Sequence, residues 1–547
     1  MSVVILVPIT AWCLIAFLSG YFINSYARNN VKLYVKIIVW LGWMIGFSII
    51  VLLPSDLYIN YVIDKREQYH TVLYLIWRLN YWIAFLLCFF VFPMLGEYVV
   101  AGDFTVKGKL YTALVQNLVF YWIMGIVGLA ALIFLWYEGQ FSNKEASLQG
   151  FLIFCANAYG LILIVIFLSY GLVGVPWKFY DMRSFKMKLE HVYWKVHRKE
   201  EMFHDKRFRL EQTAGEINAL DQKIESGELK NYVQKIMNIW PKEFLQVSRS
   251  LASLEYTEYR EDYDSLVKLN RTMIKSVEDY ERAYWGYNES LAEAVWLEDV
   301  HHATSETFDS KLGSNLMKHS FWRKFWWHWE TKFSPKIWFG ISIIATCLSI
   351  IIIFGEVTIF ASSGKSFIKD SLLGSINIFV LTVFLMFILL CYLSICIFYG
   401  IFNIKIYGLY EFHKNHHTDA FSLNFSGTVL TRLAPSLWYN FILISRLHGT
   451  VFEEFMGKMN FVPVLGVNFQ KIFPLILVLL VIFNLFNMWG RILSCFGFED
   501  YAFINKFDPQ KVIEGQEHVK KERQRIESMT QKDRIEYDMA NISVSWV

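Results

Sequence analysis

The sequence predicts an all-α, polytopic membrane protein with nine transmembrane helices and a large helical cytosolic loop. Hydrophobic residues make up 55% of the 547 residues, and charged residues make up only 18%. The mean hydropathy of +0.33 is higher than that of a typical water-soluble protein, which carries more charge. The apolar residues are also gathered into long blocks, which are interrupted by one polar stretch of roughly 160 residues.

A helix needs about 20 predominantly apolar residues to cross the hydrocarbon core of a bilayer. Every backbone N–H and C=O group must then be hydrogen-bonded within the helix. The predicted spans centre on residues 2–23, 33–53, 76–98, 112–135, 149–173, 337–360, 372–400, 421–445 and 471–496. The first span has no basic residues before it, so we expect a retained helix rather than a cleaved signal peptide.

Lysine and arginine near the ends of spans indicate the cytosolic side of a membrane protein. Such residues cluster after the first span, after the fifth, before the sixth and after the ninth. An odd number of spans places all four clusters on the same side. We therefore expect the N-terminus outside the cell, and the polar stretch and the C-terminal tail in the cytosol.

These patterns divide the chain into four predicted regions. They are 1–175 with membrane helices one to five, 176–335 as the cytosolic loop, 336–497 with helices six to nine, and 498–547 as the cytosolic tail.

Composition and motifs exclude several classes of function. The net charge is only +3, which gives no indication of nucleic-acid binding. Seven cysteines in a chain of this length are too few for a disulfide-built secreted fold. The sequence contains no phosphate-binding loop, nucleophile elbow, zinc-protease or kinase motif. We therefore expect no enzyme activity and no cofactor.

The polar loop shows helical periodicity. Phe203, Leu210, Ile217 and Ile224 recur every seven residues, which gives half of a coiled-coil seam. A second stretch has apolar residues three or four positions apart, namely Leu266, Leu269, Met273, Val277 and Tyr280. Two such helices favour an antiparallel hairpin, and we interpret the second set as candidate partner-binding residues. The alternative is a helical spacer without a partner.

The end of the loop is both aromatic and basic, over Phe321–Trp329. Tryptophan favours the headgroup layer, and lysine and arginine favour anionic lipids. We expect an interfacial helix near 321–330. A partner-binding groove is the alternative.

Arg432 is the most informative single residue, because a charge inside a span is costly unless it is paired or hydrated. Its possible partners are Glu97, Glu356 and Asp419. Pro435 should bend the same span, and Asn440 could bond to a neighbouring helix. We treat Arg432, Pro435 and Asn440 as a candidate intramembrane site, and structural ion pairing as the alternative.

A juxtamembrane polar cluster precedes the eighth span and comprises His413, His416, His417 and Asp419. If this stretch is helical, the three histidines share one face, which could hold a zinc-like ion. Histidines at this position more often cap helices or bond to neighbouring loops, and we favour that interpretation.

Several motifs resemble those of the LMBR-like (limb-region or lipocalin-interacting-receptor-like) membrane proteins. They are Gly108–Leu110, Cys155–Leu161, Tyr170–Val173, His416–Leu423, Phe425–Gly427 and Arg432–Leu433. The resemblance implies a nine-span plasma-membrane protein with an exterior N-terminus and a large cytosolic loop. It also implies a modulator of G-protein-coupled receptor signalling, with no catalytic activity.

Two functional hypotheses follow. The first is a receptor-like signalling modulator or scaffold that binds cytosolic or membrane proteins, G-protein-coupled receptors among them, through residues 176–335. The second is a transporter or channel for a small or lipophilic solute, with a cavity near Arg432.

Overall fold

The computed structural model describes residues 2–60, 66–137, 148–224, 226–240, 262–302, 325, 327–360, 379–403, 410–445, 450–456, 466–488 and 508–528. Every regular element within these ranges is a helix, which confirms the all-α prediction. The helices are α1 Ser2–Tyr26, α2 Leu33–Tyr58, α3 Arg66–Leu86, α4 Phe92–Val100, α5 Val106–Tyr137, α6 Leu148–Met182, α7 Phe185–Lys223, α8 Glu228–Met237, α9 Tyr263–His302, α10 Ser334–Phe360, α11 Phe379–Asn403, α12 Ala420–Ser445, α13 Val451–Met456, α14 Gly466–Leu485 and α15 Pro509–Ser528.

Each of the nine predicted spans overlaps a helix, with α3 and α4 together forming the third. Seven helical segments in the described residues are long and apolar enough to cross a bilayer. They are Pro8–Tyr26, Leu33–Tyr58, Glu67–Val100, Val106–Phe134, Gly160–Met182, Trp329–Thr358 and Phe384–Asn403. The predicted eighth and ninth spans, α12 and α14, are not among these seven, so the count of nine stays a prediction.

Hydropathy does not identify α12 as a span, because the helix contains many polar residues. It can carry them because other helices enclose it. It packs against α2, α4 and α6, and none of its described side chains is exposed. Some of its polar side chains are hydrogen-bonded to those neighbours. Asn424 Nδ2 donates to the carbonyl of Phe92 at 3.1 Å, and Trp43 Nε1 donates to Ser426 Oγ at 2.9 Å. Helix α5 is the opposite case, because most of its side chains are exposed and apolar, as a lipid-facing helix requires.

The third span is interrupted by a π-helical turn over Leu87–Val91, immediately before Pro93. Proline has no N–H group, so the carbonyl four residues earlier loses its helical partner. That carbonyl belongs to Phe89, and the hydroxyl of Tyr121 in α5 donates to it at 2.7 Å. Asn117 Nδ2, also in α5, donates to Pro93 O at 3.2 Å. The freed carbonyl is therefore satisfied by a neighbouring helix.

The largest apolar core lies between α2, α3, α6, α10, α11, α12 and α14. Its aromatic centre is formed by Trp77, Trp438 and Phe452, with the two indole rings 5.0 Å apart. The carboxylate of Asp56 accepts hydrogen bonds from Trp77 Nε1 at 3.0 Å and from the backbone N–H of Phe452 at 3.0 Å. Asp56 thus caps the N-terminus of α13.

Helices α7 and α9 form the predicted antiparallel hairpin. Lys195 contacts Glu293 at 2.9 Å, and Lys206, further along α7, contacts Asp279, earlier in α9, at 3.3 Å. Helix α7 ends at Lys223, shortly before Gly227. The φ of Gly227 is 113°, a conformation that glycine adopts easily and that would strain any other residue.

The five candidate partner-binding residues of the loop lie inside this hairpin. Leu266, Leu269 and Met273 have no exposed surface, and Val277 and Tyr280 are 8% and 7% exposed. They pack against Leu210, Ala214, Ile217 and their neighbours from α7 and α8. The five side chains therefore hold the hairpin together, and our expectation that they contact a partner has to be corrected. The periodic pattern marks the face that the hairpin itself buries.

The C-terminal tail contributes helix α15, which docks on the hairpin. Val519 is fully buried against α7 and α9, and Tyr287 Oη lies 2.6 Å from His518 Nε2. Arg523 contacts Glu298 at 3.5 Å and also Asp299. A Cβ atom at Gly515 would lie 2.1 Å from the carbonyl of Tyr193, so glycine permits the contact.

The predicted aromatic interfacial helix near 321–330 is only partly described. Residues 321–324 and 326 lie outside the described residues. Trp327 and His328 are helical and lead into a π-helical turn over Trp329–Phe333 and then into α10.

Helices α6 and α11 approach each other at two glycines, which generates a testable prediction. A Cβ atom at Gly171 would lie 2.0 Å from the carbonyl of Cys396, and one at Gly400 would lie 2.4 Å from that of Phe167. Gly171→Ala should force these helices apart and destabilise the protein by about 1–3 kcal/mol, measured as a lower melting temperature in detergent. Gly125→Ala is the matched control, because no atom lies within 4 Å of that added Cβ. Equal melting temperatures for the two variants would contradict the predicted packing.

Candidate functional site at the junction of loop and membrane helices

The predicted juxtamembrane cluster lies where the loop hairpin meets the membrane helices. Asp419 ends the segment before α12, and its carboxylate pairs with the guanidinium of Arg282 in α9. The Nε–Oδ1 and Nη2–Oδ2 distances are 3.3 and 3.2 Å. The Arg282 and Asp419 side chains are 6% and 2% exposed. Breaking such a buried pair by removing one partner costs about 3–5 kcal/mol, so the pair fixes α9 to α12.

Asp419 is also the N-cap of α12. Its carboxylate accepts a hydrogen bond from the backbone N–H of Ser422 at 2.9 Å and from the Ser422 hydroxyl at 2.7 Å. Burial by itself would raise the pKa of Asp419, but Arg282 and the Ser422 hydrogen bonds outweigh burial and lower it. The carboxylate therefore stays ionised and complements the positive end of the helix dipole.

The segment that contains the histidines is a turn, so the shared helical face that we considered does not form. Asn415 and His416 have φ values of 56° and 65°, in the left-handed region that few non-glycine residues adopt. Three backbone hydrogen bonds tie this turn to the end of α1. His416 N donates to Ser25 O, Thr418 N to Tyr26 O, and Arg28 N to Thr418 O, each at 2.9 Å.

The three histidines point to three different neighbours. His413 Nδ1 lies 3.3 Å from Glu289 Oε2 in α9. His416 Nδ1 lies 3.2 Å from the carbonyl of Ala27. The ring of His417 stacks on Trp285 of α9, with centroids 3.4 Å apart and planes 15° apart. In the described part of the chain, no three His, Cys, Asp or Glu side chains converge as metal ligands, and each of these histidines contacts a neighbouring helix or loop.

Other ion pairs surround the central one. Arg28, between α1 and α2, contacts Glu281 of α9, and Lys199 of α7 contacts Glu411. Arg271 of α9 contacts Glu97 of α4 at 2.7 Å. We call the region formed by residues 25–32, 278–289 and 410–419 the junction. It joins α1, α2, α9 and α12 through charges that have little access to water.

One acid of the junction is expected to carry a proton. Burial raises the pKa of Glu278 to about 8, the nearby Asp419 carboxylate contributes to the increase, and Arg282 and Arg28 oppose it. Neutral Glu278 avoids placing a second negative charge beside the paired carboxylate of Asp419.

Arg432 contacts a thiol and an aromatic ring of the third span. Its Nε lies 3.2 Å from Cys88 Sγ, and its guanidinium lies 5.7 Å from the centre of the Phe89 ring. Glu97 instead pairs with Arg271, and Asp419 pairs with Arg282. The sequence could not indicate these pairings, because the partners are provided by the loop hairpin.

Glu356, the third predicted partner of Arg432, is hydrogen-bonded to Asn440. The amide Nδ2 of Asn440 in α12 donates to Glu356 Oε1 of α10 at 3.0 Å, and both residues are fully buried. Glu356 Oε2 and Asn440 Oδ1 have no hydrogen-bond partner in the described structure. Pro435 lies inside α12, between Arg432 and Asn440. The candidate intramembrane residues therefore form two separate contacts along one helix.

An exposed aromatic residue on the hairpin was not predicted. Phe208 of α7 is 65% exposed and is flanked by the exposed residues His204, Asp205 and Arg209. Phe208 is not part of the seven-residue repeat that begins with Phe203 and Leu210, so its side chain faces away from the hairpin core. That mismatch with the repeat is the signal by which sequence analysis could have found it.

The chain is similar to known proteins over most of its length. Residues 4–489 match the family described as LMBR1-like membrane protein. The chain belongs to the LMBR1-like membrane protein family. The resemblance seen in the sequence motifs is thus confirmed, and family membership agrees with the apolar helices in identifying an integral membrane protein.

Named relatives of this LMBR1-like protein are identical to it at about a quarter of the aligned positions. The chicken G-protein coupled receptor-associated protein LMBRD2 is 27% identical over 82% of this chain and 69% of its own length. The human protein of the same name is 26% identical over 82% and 68%. The LMBR1 domain-containing protein 2 homolog A of Dictyostelium discoideum is 27% identical over 93% and 77%. No solved structure matches the chain significantly.

The stacked imidazole of His417 predicts a pH dependence of stability. Burial, with help from nearby His413 and Arg28, lowers the pKa of His417 from 6.5 to about 4. The unfolded chain then binds more protons than the folded one between these values, so stability falls as the pH drops from about 6.5 to 4. His417→Phe keeps a ring on Trp285 but cannot titrate, and should lose less thermal stability over this pH range. His204→Gln, at an exposed histidine, should behave as the unmodified protein. A His417→Phe curve parallel to that of the unmodified protein would contradict the prediction.

Proposed function

We propose that this LMBR1-like protein is a plasma-membrane scaffold that associates with G-protein-coupled receptors through the outer surface of its loop hairpin. The proposal places the hairpin in the cytosol and the N-terminus outside the cell, and it assigns the protein no catalytic activity. Two vertebrate relatives carry the printed name G-protein coupled receptor-associated protein, which supports this kind of partner. The basic residues that flank the spans support the orientation.

The junction supports a scaffold function because it attaches the hairpin firmly to the bundle. The buried Arg282–Asp419 pair and the Arg271–Glu97 pair connect α9 to α12 and to α4. Asn270 Nδ2 adds a hydrogen bond of 2.5 Å to the carbonyl of Gly102, between α4 and α5. A partner on the hairpin would therefore bind at a fixed height and angle relative to the membrane. A pre-organised surface loses less entropy on binding than a mobile one.

The observation that carries the proposal is Phe208. An aromatic side chain that is 65% exposed gains about 1.5–3 kcal/mol when a partner buries it. Its neighbours Asp205 and Arg209 form an ion pair at 3.3 Å, which supplies a polar rim around the apolar contact. An aromatic anchor inside a polar rim is typical of binding hot spots.

The test measures co-purification of the full-length chain with a panel of epitope-tagged G-protein-coupled receptors in mild detergent. Phe208→Ala should weaken capture of the interacting receptor by about tenfold or more, the equivalent of losing 1.4 kcal/mol. Its melting temperature should be unchanged, because Phe208 is not part of the core. The control is Ile513→Ala, which removes an apolar side chain of α15 that is 57% exposed. Capture of no receptor, or an equal effect of both variants, would overturn the proposal.

Transport of a small solute, coupled to protons, is the second candidate. It is favoured by the fully buried Glu356–Asn440 pair, whose remaining oxygens have no partner in the described residues, because buried acids in membrane proteins are typical of proton pathways. Arg432, half-buried in the same helix, could hold an anionic solute.

Transport can be tested with the purified chain in vesicles that contain a pH-sensitive dye. Proton uptake in response to an imposed pH gradient should disappear in Glu356→Gln and in Arg432→Leu. It should persist in Glu454→Gln, at a partly exposed acid of α13. Uptake no faster than in protein-free vesicles would reject the transport hypothesis and leave the scaffold proposal in place.

A further inference from the structure

A cavity of about 270 Å³ lies at the end of the bundle that faces the loop hairpin. Its wall is formed by the end of α6, the end of α11, the beginning of α7 and one residue of α9. The apolar stretch Gly160–Met182 of α6 ends here, so the cavity lies where hydrocarbon gives way to headgroups. Trp177 borders it and is 44% exposed, and tryptophan is typical of this layer.

Charges of both signs line the cavity. The positive groups are Lys178, Lys188 and Lys195, and the negative groups are Asp181 and Glu293. Lys195 Nζ lies 2.9 Å from Glu293 Oε2, and Lys188 contacts Glu330, which precedes α10. With Glu330 included, three ammonium groups face three carboxylates. The balance does not suit a polyanion, which the carboxylates would repel.

Aromatic rings complete the wall. Tyr170 and Tyr399 are stacked, with centroids 5.9 Å apart and planes 11° apart. Lys178 Nζ lies 5.2 Å from the centre of the Tyr399 ring. Gly174 allows this arrangement, because a Cβ atom there would lie 2.6 Å from a carbon of that ring. An ammonium group of a ligand would find both carboxylates and ring faces within this cavity.

We propose that the cavity binds the headgroup of a zwitterionic phospholipid, with phosphate beside Lys178 and Lys195 and the amine beside Asp181 and Glu293. A headgroup with one negative and one positive charge matches a wall in which both charges occur and cancel. The acyl chains would lie along the outer face of α6, where Ile162 and Ile166 are 51% and 44% exposed. The ligand thus comes from the leaflet on the hairpin side.

The test is native mass spectrometry of the full-length chain in detergent, with phosphatidylethanolamine, phosphatidylglycerol or soluble phosphoethanolamine added. Phosphatidylethanolamine should remain bound in preference to the other two. Lys178→Gln should reduce the bound fraction about tenfold, as expected for the loss of one charge-assisted hydrogen bond. Asp181→Asn, which removes a carboxylate beside the amine, should also reduce it.

Lys186→Gln is the matched control for Lys178→Gln. Lys186 lies in the same region, but its side chain is 84% exposed and it does not line the cavity. The control should bind as the unmodified protein does, and all variants should retain the melting temperature. Equal losses in Lys178→Gln and Lys186→Gln would overturn the proposal in favour of general surface attraction. A preference for phosphatidylglycerol would overturn the zwitterionic match, and equal binding of soluble phosphoethanolamine would overturn a lipid origin.

Discussion

The ion pair between Arg282 and Asp419 is the contact on which the arrangement of the molecule depends. Both side chains lie almost completely out of water, so removing either one leaves the other as a buried charge with fewer partners. Asp419 also begins α12, the helix that the other membrane helices surround. One carboxylate therefore stabilises the start of the central helix and holds the hairpin against it. A change that displaces α9 must expose or neutralise this carboxylate, and the same change weakens the N-cap of α12.

The hairpin, the tail helix and the bundle consequently behave as a single structural unit. Helix α15 packs on α7 and α9, with Val519 buried between them, and α9 packs against α4 and the turn before α12. Within the described residues, the outer face of α7, where Phe208 lies, is one exposed surface of the hairpin. The periodic apolar residues are buried in the fold, whereas Phe208, an apolar residue outside the period, is exposed.

Local patterns were sufficient to predict the helices and the antiparallel hairpin, because periodicity and length are properties of each segment. Of the junction, only the segment from His413 to Asp419 was recognised as a polar cluster, since histidines and an aspartate beside a span are unusual. The pairings were not predictable. Asp419 and Arg282 are 137 residues apart, and no local pattern indicates the contacts of Arg432 with a thiol and an aromatic ring. Helix α15 was classed as a tail because its sequence is polar, although one narrow apolar face is enough for docking.

The short backbone pairing between Ala27 and Thr418 has a consequence for biogenesis. Its two residues are 391 positions apart in the sequence, and a ribosome adds about 5–20 residues per second. The linker after the first helix must then wait roughly 20–80 s for its partner to emerge. During that interval the early helices are in the bilayer while their polar contacts are still unmade. The polar backbone groups of the linker therefore stay without this pairing until the last quarter of the polypeptide is being made.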